Sequence, residues 1–167
     1  MRFGVPVAWI ERVMRAESGG RTMLAGRPIT SRAGAMGLMQ LMPGTWAERR
    51  SAHALGADPH DPRDNILAGT AYLRAMYDRF GYPGLFAAYN AGPARYAAYL
   101  AGRGPLPGET SAYLRVVAGT EPGRPTRGPE PPADTLVVLR RTIDTRADGE
   151  APEARRADEL FVPLSRD

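Results

Sequence analysis

Val7-Ala8-Trp9-Ile10-Glu11-Arg12-Val13-Met14-Arg15-Ala16-Glu17-Ser18-Gly19-Gly20 decides the fold class. Val7, Ile10, Val13 and Met14 recur at the spacing that puts side chains on one face of an α-helix. Pro6 suits a first turn, where a missing N–H is harmless, and Gly19-Gly20 ends the pattern. Glu17 therefore sits at the carboxyl end of a helix.

Outward from this segment, residues 18–35 are rich in Gly, Ser, Thr and Arg without a sustained period, and read as a surface loop. The apolar run that follows predicts a short helix around Leu38–Met42, and Pro43 opens another that reaches about Leu55. Asp58-Pro59-His60-Asp61-Pro62-Arg63-Asp64 is turn chemistry. Asp64 is the expected N-cap of a helix carrying Ile66, Gly69, Leu73, Met76, Tyr77 and Phe80 on one face. Further helices are expected at Leu85–Tyr89, Pro93–Ala101 and Thr110–Ala118, between Gly- and Pro-containing breaks. Alternating strand patterns are nearly absent, so the expected fold is all-α.

After Gly119 the sequence turns to Glu-Pro-Gly-Arg-Pro-Thr-Arg-Gly-Pro-Glu-Pro-Pro. Such a stretch offers too little apolar surface to offset the entropy of ordering it. The expected organisation is one domain over residues 1–119 and a flexible tail over 120–167. Two short apolar islands, Leu136–Leu139 and Leu160–Val162, interrupt the tail.

Charge follows the same division. All 22 basic residues are Arg, and residues 1–120 carry 14 of them against 8 acids, for +6, while 121–167 carry 8 against 10, for −2. A basic domain suits a nucleic acid, an anionic membrane or an anionic wall polymer. The Arg–aromatic platforms of single-strand binders are missing, which argues against nucleic acid. No run of about 18 apolar residues exists to span a membrane. The lack of Cys removes disulfides, thiolate metal sites and thiol nucleophiles together. Asp58, His60, Asp61 and Asp64 lack the spacing of a Ca²⁺ loop, so neither metal nor other cofactor is expected.

Three blocks carry chemistry. A carboxyl at the negative end of a helix dipole, at the edge of a cleft, tends to stay protonated, which suits Glu17 to give a proton to a leaving sugar oxygen. Gly34-Ala35-Met36-Gly37-Leu38-Met39-Gln40-Leu41-Met42-Pro43 places one Gln in an apolar run. Ala88-Tyr89-Asn90-Ala91-Gly92-Pro93 sets a hydroxyl and an amide at a helix break. Each block alone has an ordinary structural explanation as surface charge, core helix or loop cap.

Together and in this order they resemble the Glu-Ser, Gly-Leu-Met-Gln and Ala-Tyr-Asn motifs of the soluble lytic transglycosylase family. Asn65-Ile66, Gly69, Tyr72-Leu73, Pro107-Gly108-Glu109-Thr110 and Tyr113 extend the resemblance over roughly residues 5–118. It implies a lysozyme-like domain with Glu17 as catalytic acid. It also implies glycan contacts from Ser31, Gln40, Met42, Tyr89, Asn90, Glu109 and Tyr113. The sequence departs from the family between Ser18 and Ser31, where the usual Asn-Pro is missing and the loop Gly20–Thr30 is longer.

The implied reaction is cleavage of the bond between N-acetylmuramic acid and N-acetylglucosamine in peptidoglycan strands, leaving a 1,6-anhydro end. No second carboxylate stands out as a partner for Glu17, which agrees with a substrate-assisted scheme. The rivals are a lysozyme-type muramidase and a non-catalytic glycan-binding scaffold of an envelope machine. The expected location is the periplasm or cell envelope, although no signal peptide is visible. The tail is the expected contact for secretion or conjugation machinery, and compactness suggests local wall opening for such a system or a phage.

Overall fold

The structure, a computed structural model, describes residues 2–118, which all fall within one compact unit. The tail from 120 and its two apolar islands lie outside the described residues. Six helices follow in order: α1 Val7–Ser18, α2 Pro43–His53, α3 Pro62–Phe80, α4 Gly84–Ala91, α5 Pro93–Leu100 and α6 Gly108–Val117. The expected all-α class is observed.

Helix α4 is the centre of the domain. Gly84, Leu85, Phe86, Ala87, Ala88 and Tyr89 are all buried, as expected of a helix that is apolar on every side. Helices α3, α5 and α6 pack around it, α2 lies on α3, and α1 lies on α6. Small residues permit the close approach: a side chain at Gly84 would press on the Tyr96 ring and hydroxyl of α5. Trp9 and Val13 of α1 enter the same core as Leu73, Phe86 and Leu114, and the Trp9 ring meets Tyr77, Tyr82 and Phe86.

Three local expectations are corrected. Helix α3 begins at Pro62 with Asp61 as its N-cap, the Asp61 carboxylate accepting from Asp64 N at 2.8 Å. Asp64 instead accepts from Gly56 N at 2.7 Å, tying the incoming turn to the helix. The 18–35 loop contains a small antiparallel hairpin, β1 Met23–Leu24 and β2 Arg27–Pro28, turned by Ala25 and Gly26 at positive φ. Finally, Leu38–Met42 is not a helix. Met36 and Leu41 exchange both backbone hydrogen bonds, at 2.9 and 3.0 Å, closing a tight turn over Gly37–Gln40.

That turn looks apolar because it is buried, not because it is helical. Asn65 of α3 is fully buried; its amide accepts from Met39 N at 2.8 Å and donates to Met36 O at 3.0 Å and Pro59 O at 2.8 Å. Gly37, at φ 74°, leaves room for that amide, with which a side chain would collide. Gly69 leaves room for Met39 in the same way. The result is a fixed platform on α3 that presents Gln40.

Candidate active site

The carboxyl end of α1 is shaped by Ser18, which is buried. Its hydroxyl donates to Met14 O at 3.1 Å and accepts from Gly20 N at 3.2 Å, while Gly19 adopts the left-handed conformation that closes many helices. Glu17, one residue earlier, is half-buried and borders a cleft.

Burial raises the Glu17 carboxyl from 4.5 to about 7, since the ionised form loses water; the Tyr113 hydroxyl beside it holds the rise in check. That hydroxyl is itself buried. Tyr113 comes from α6 and Tyr89 from α4, and both phenols are held protonated by burial and, secondarily, by the Glu17 charge. The acid thus faces aromatic hydroxyls from two other helices. Tyr89 Oη donates to Met39 O at 2.8 Å, and its ring meets Tyr72 of α3 at a centroid distance of 5.2 Å.

The cleft has two lobes that share Gln40. One, of about 450 Å³, is bordered by Arg15, Glu17, Arg21, Leu24, Ser31 and Gln40 among others. The second, of about 280 Å³, is bordered by Gln40, Met42, Tyr72, Tyr89 and Asn90 among others, with no charged side chain. Gln40 holds φ 48°, a left-handed conformation that is uncommon for a residue with a side chain and is often found at functional positions. Its Nε2 donates to Gly37 O at 2.8 Å.

The other expected residues take distinct places. Ser31 is exposed and accepts from Ala35 N at 3.0 Å, forming a turn at the first lobe. Met42 is exposed ahead of α2 and borders the second lobe. Asn90 stands in the last turn of α4, where its Oδ1 accepts from Thr110 Oγ1 at 2.8 Å. Glu109 is exposed in the first turn of α6, where its charge suits the helix dipole, and it borders neither lobe. The structure thus brings together Glu17, Ser31, Gln40, Met42, Tyr89, Asn90 and Tyr113, and sets Glu109 aside.

Sequence reasoning missed the supports. Thr110 fixes Asn90, and Asn65 fixes the Gln40 turn; only their place in the family-like motifs marked them. Tyr72, which backs Tyr89, was marked in the same way alone. Asp58, Asp61 and Asp64 spend their carboxylates on turn and cap hydrogen bonds. Among the described residues, no group of three or more His, Cys, Asp or Glu is placed to hold a metal ion.

A third groove, of about 560 Å³, runs between the outer face of α1 and the end of α6. It is larger than either lobe, but none of Glu17, Gln40, Tyr89 and Asn90 borders it.

The chain is similar in sequence and fold to known proteins. The transglycosylase SLT domain family model matches residues 1–110. The soluble lytic murein transglycosylase of Escherichia coli K12 is 35% identical over 134 residues, covering 74% of this chain and 19% of that protein. The transglycosylase of Enterobacteria phage PRD1 is 48% identical over 63 residues, covering 36% of this chain and 22% of that protein. The crystal structure of the 70 kDa soluble lytic transglycosylase from Escherichia coli superposes with a TM-score of 0.57 at 34% identity, over 68% of this chain and 20% of that one. An inactive mutant of the lytic transglycosylase Slt from Pseudomonas aeruginosa gives 0.52 at 30% identity, over 70% of this chain and 19% of that one. This chain spans about a fifth of the length of these relatives. The fold is the expected lysozyme-like one, and the chain belongs to the transglycosylase SLT domain family.

Proposed function

We propose that this chain cleaves peptidoglycan strands between N-acetylmuramic acid and N-acetylglucosamine as a lytic transglycosylase, with Glu17 serving first as acid and then as base. One observation carries the reading: a carboxyl raised to about 7 borders a two-lobed cleft in which no other acid stands. A two-carboxylate mechanism has no second member there.

Glu17, protonated, gives its proton to the glycosidic oxygen as the bond to the anomeric carbon breaks. The substrate's own acetamido oxygen stabilises the positive charge that develops. The resulting Glu17 carboxylate then takes the proton from the muramic acid 6-hydroxyl, which attacks the anomeric carbon and closes a 1,6-anhydro ring, without net addition of water. Asn90 is the residue we assign to orient the acetamido group. Thr110 occupies its Oδ1, leaving Nδ2 to donate, whereas the Tyr89 proton is already engaged by Met39 O. Tyr113 supplies a donor to the carboxylate between the two steps. Gln40, Ser31 and Met42 are assigned to the glycan, and Glu109 to substrate approaching the α6 end.

The catalytic domain is assigned to residues 1–119, consistent with the match over 1–110. The site of action is the cell envelope or periplasm, where the substrate lies; no helix of the described residues is long and apolar enough to cross a membrane. Local wall opening on behalf of a phage, secretion or conjugation system, with residues 120–167 as the partner contact, is the corresponding biological role. The similarity to the phage PRD1 transglycosylase supports the phage alternative among these.

Digestion of purified sacculi by the wild type and by Glu17→Gln, with mass analysis of the products, tests the reading. Anhydro ends from the wild type alone are expected. Reducing ends would replace transglycosylation by hydrolysis, and sacculus binding without any cleavage would leave a scaffold.

A further inference from the structure

The two lobes of the cleft differ in charge. The lobe of Tyr89 and Asn90 is bordered by no ionisable acid or base other than its tyrosines, whereas the lobe of Glu17 is bordered by Arg15 and Arg21. Arg21 stands in the stretch where this sequence leaves the family pattern, just ahead of the β1–β2 hairpin. Its Nε donates to Ser18 O at 3.3 Å. Its guanidinium lies over Gly19, where a Cβ would sit 3.6 Å from Nε and 3.9 Å from Nη2. One edge of this guanidinium is thereby tied to the carboxyl end of α1, and the residue is exposed. No acid of the described residues forms an ion pair with it. Glu17, the one acid bordering the lobe, is held toward its neutral form by burial. A guanidinium tethered at one edge and without an internal acidic partner is suited to a carboxylate.

Given the transglycosylase reading, on which this step rests, such a carboxylate is at hand. Muramic acid carries a lactyl group on its third oxygen, ending in a free carboxylate or in a peptide that bears several. We propose that Arg21 is a specificity-determining residue that pairs with a carboxylate on the muramic acid substituent, so that the lobe beside Glu17 reads charge while the lobe beside Asn90 reads neutral sugar. The lengthened loop then has a purpose, since it places Arg21 and the half-exposed Leu24 along one wall of the acid's lobe.

The experiment uses the full chain with three substrates: peptide-bearing strands, strands stripped of peptide, and stripped strands whose carboxylates have been converted to methylamides. Arg21→Gln is expected to raise KM about tenfold on carboxylate-bearing strands and to change kcat far less, so that the preference for charged over neutralised strands falls by that factor. Arg21→Lys, which keeps charge without the fork, recovers part of the preference. Loss on stripped strands assigns the lactyl carboxylate, and loss confined to peptide-bearing strands assigns the peptide. An equal loss on charged and neutralised strands, the mark of a residue that only caps α1, overturns the proposal, as does no loss on any.

The same comparison made as equilibrium co-sedimentation, with Glu17→Gln beside Glu17→Gln/Arg21→Gln, needs no cleavage. Arg21-dependent, salt-sensitive binding without anhydro products from the wild type would sink the transglycosylase reading and leave the carboxylate contact standing.

Discussion

The two stretches that flank Glu17 in the cleft are built in opposite ways. The turn from Met36 to Leu41 is locked from beneath: Asn65 makes three hydrogen bonds to it and its neighbour Pro59, Tyr89 holds Met39 O, and Gly37 and Gly69 are small so that the parts can close. The stretch from Gly20 to Thr30 is a two-residue ladder with Met23 and Leu24 about half exposed, anchored at its base by Ile29, whose N donates to Thr22 O at 3.0 Å and whose O accepts from Gly37 N at 3.0 Å. The Gln40 wall consists of buried, mutually satisfied polar groups, which hold a position closely, whereas the hairpin wall consists of exposed chain that tolerates change.

The contrast is broken most completely at the acid between the two walls. Glu17→Gln keeps size and hydrogen bonding but cannot release a proton, so cleavage of sacculi should fall by about 10³-fold or more while the circular dichroism spectrum is kept. On the locked wall, Asn65→Ala removes three hydrogen bonds and leaves buried backbone groups unpaired. Denaturant unfolding should show a loss of about 3 kcal/mol, with residual activity falling alongside.

Glu17 itself sets a stability term with a definite pH window. Its carboxyl ionises at 4.5 in the unfolded chain and at about 7 in the fold, so between those values the native state alone holds the proton and stability falls as pH rises. Above pH 7 Glu17→Gln should therefore be the more stable protein, by at most about 3 kcal/mol, and below pH 4.5 the advantage should vanish. Wild-type kcat/KM should decline on the alkaline side of about 7, as the acid form is lost.

Tyr89→Phe leaves Met39 O without its donor and should cost about 1–2 kcal/mol in unfolding free energy. On the exposed wall, Met23→Ser touches no core and should shift stability by less than about 0.5 kcal/mol. A loss there as large as that of Asn65→Ala would erase the distinction between the walls.

The helices could be read from the chain because each is specified locally. Val7, Ile10 and Val13 repeat at 3.6-residue spacing, Gly19 and Gly92 end helices, and Pro43 and Pro93 begin them. The order of the Glu17, Gln40 and Tyr89-Asn90 blocks was equally visible, as was the family. The turn at Gln40 was not: Leu38, Met39 and Leu41 are apolar because α3 covers them, and an apolar run of that length reads alike as buried helix or buried turn.

Asn65 lies 26 and 29 residues from the backbone groups it holds, and Thr110 lies 20 residues from Asn90, so no local pattern announces either. The same holds for the titration of Glu17. Sequence alone determined that a carboxyl closes the first helix. Only the tertiary packing that buries this helix end beside Tyr89 and Tyr113, 72 and 96 residues away, decided that the carboxyl keeps its proton near neutral pH, because desolvation depends on neighbours brought in from far along the chain.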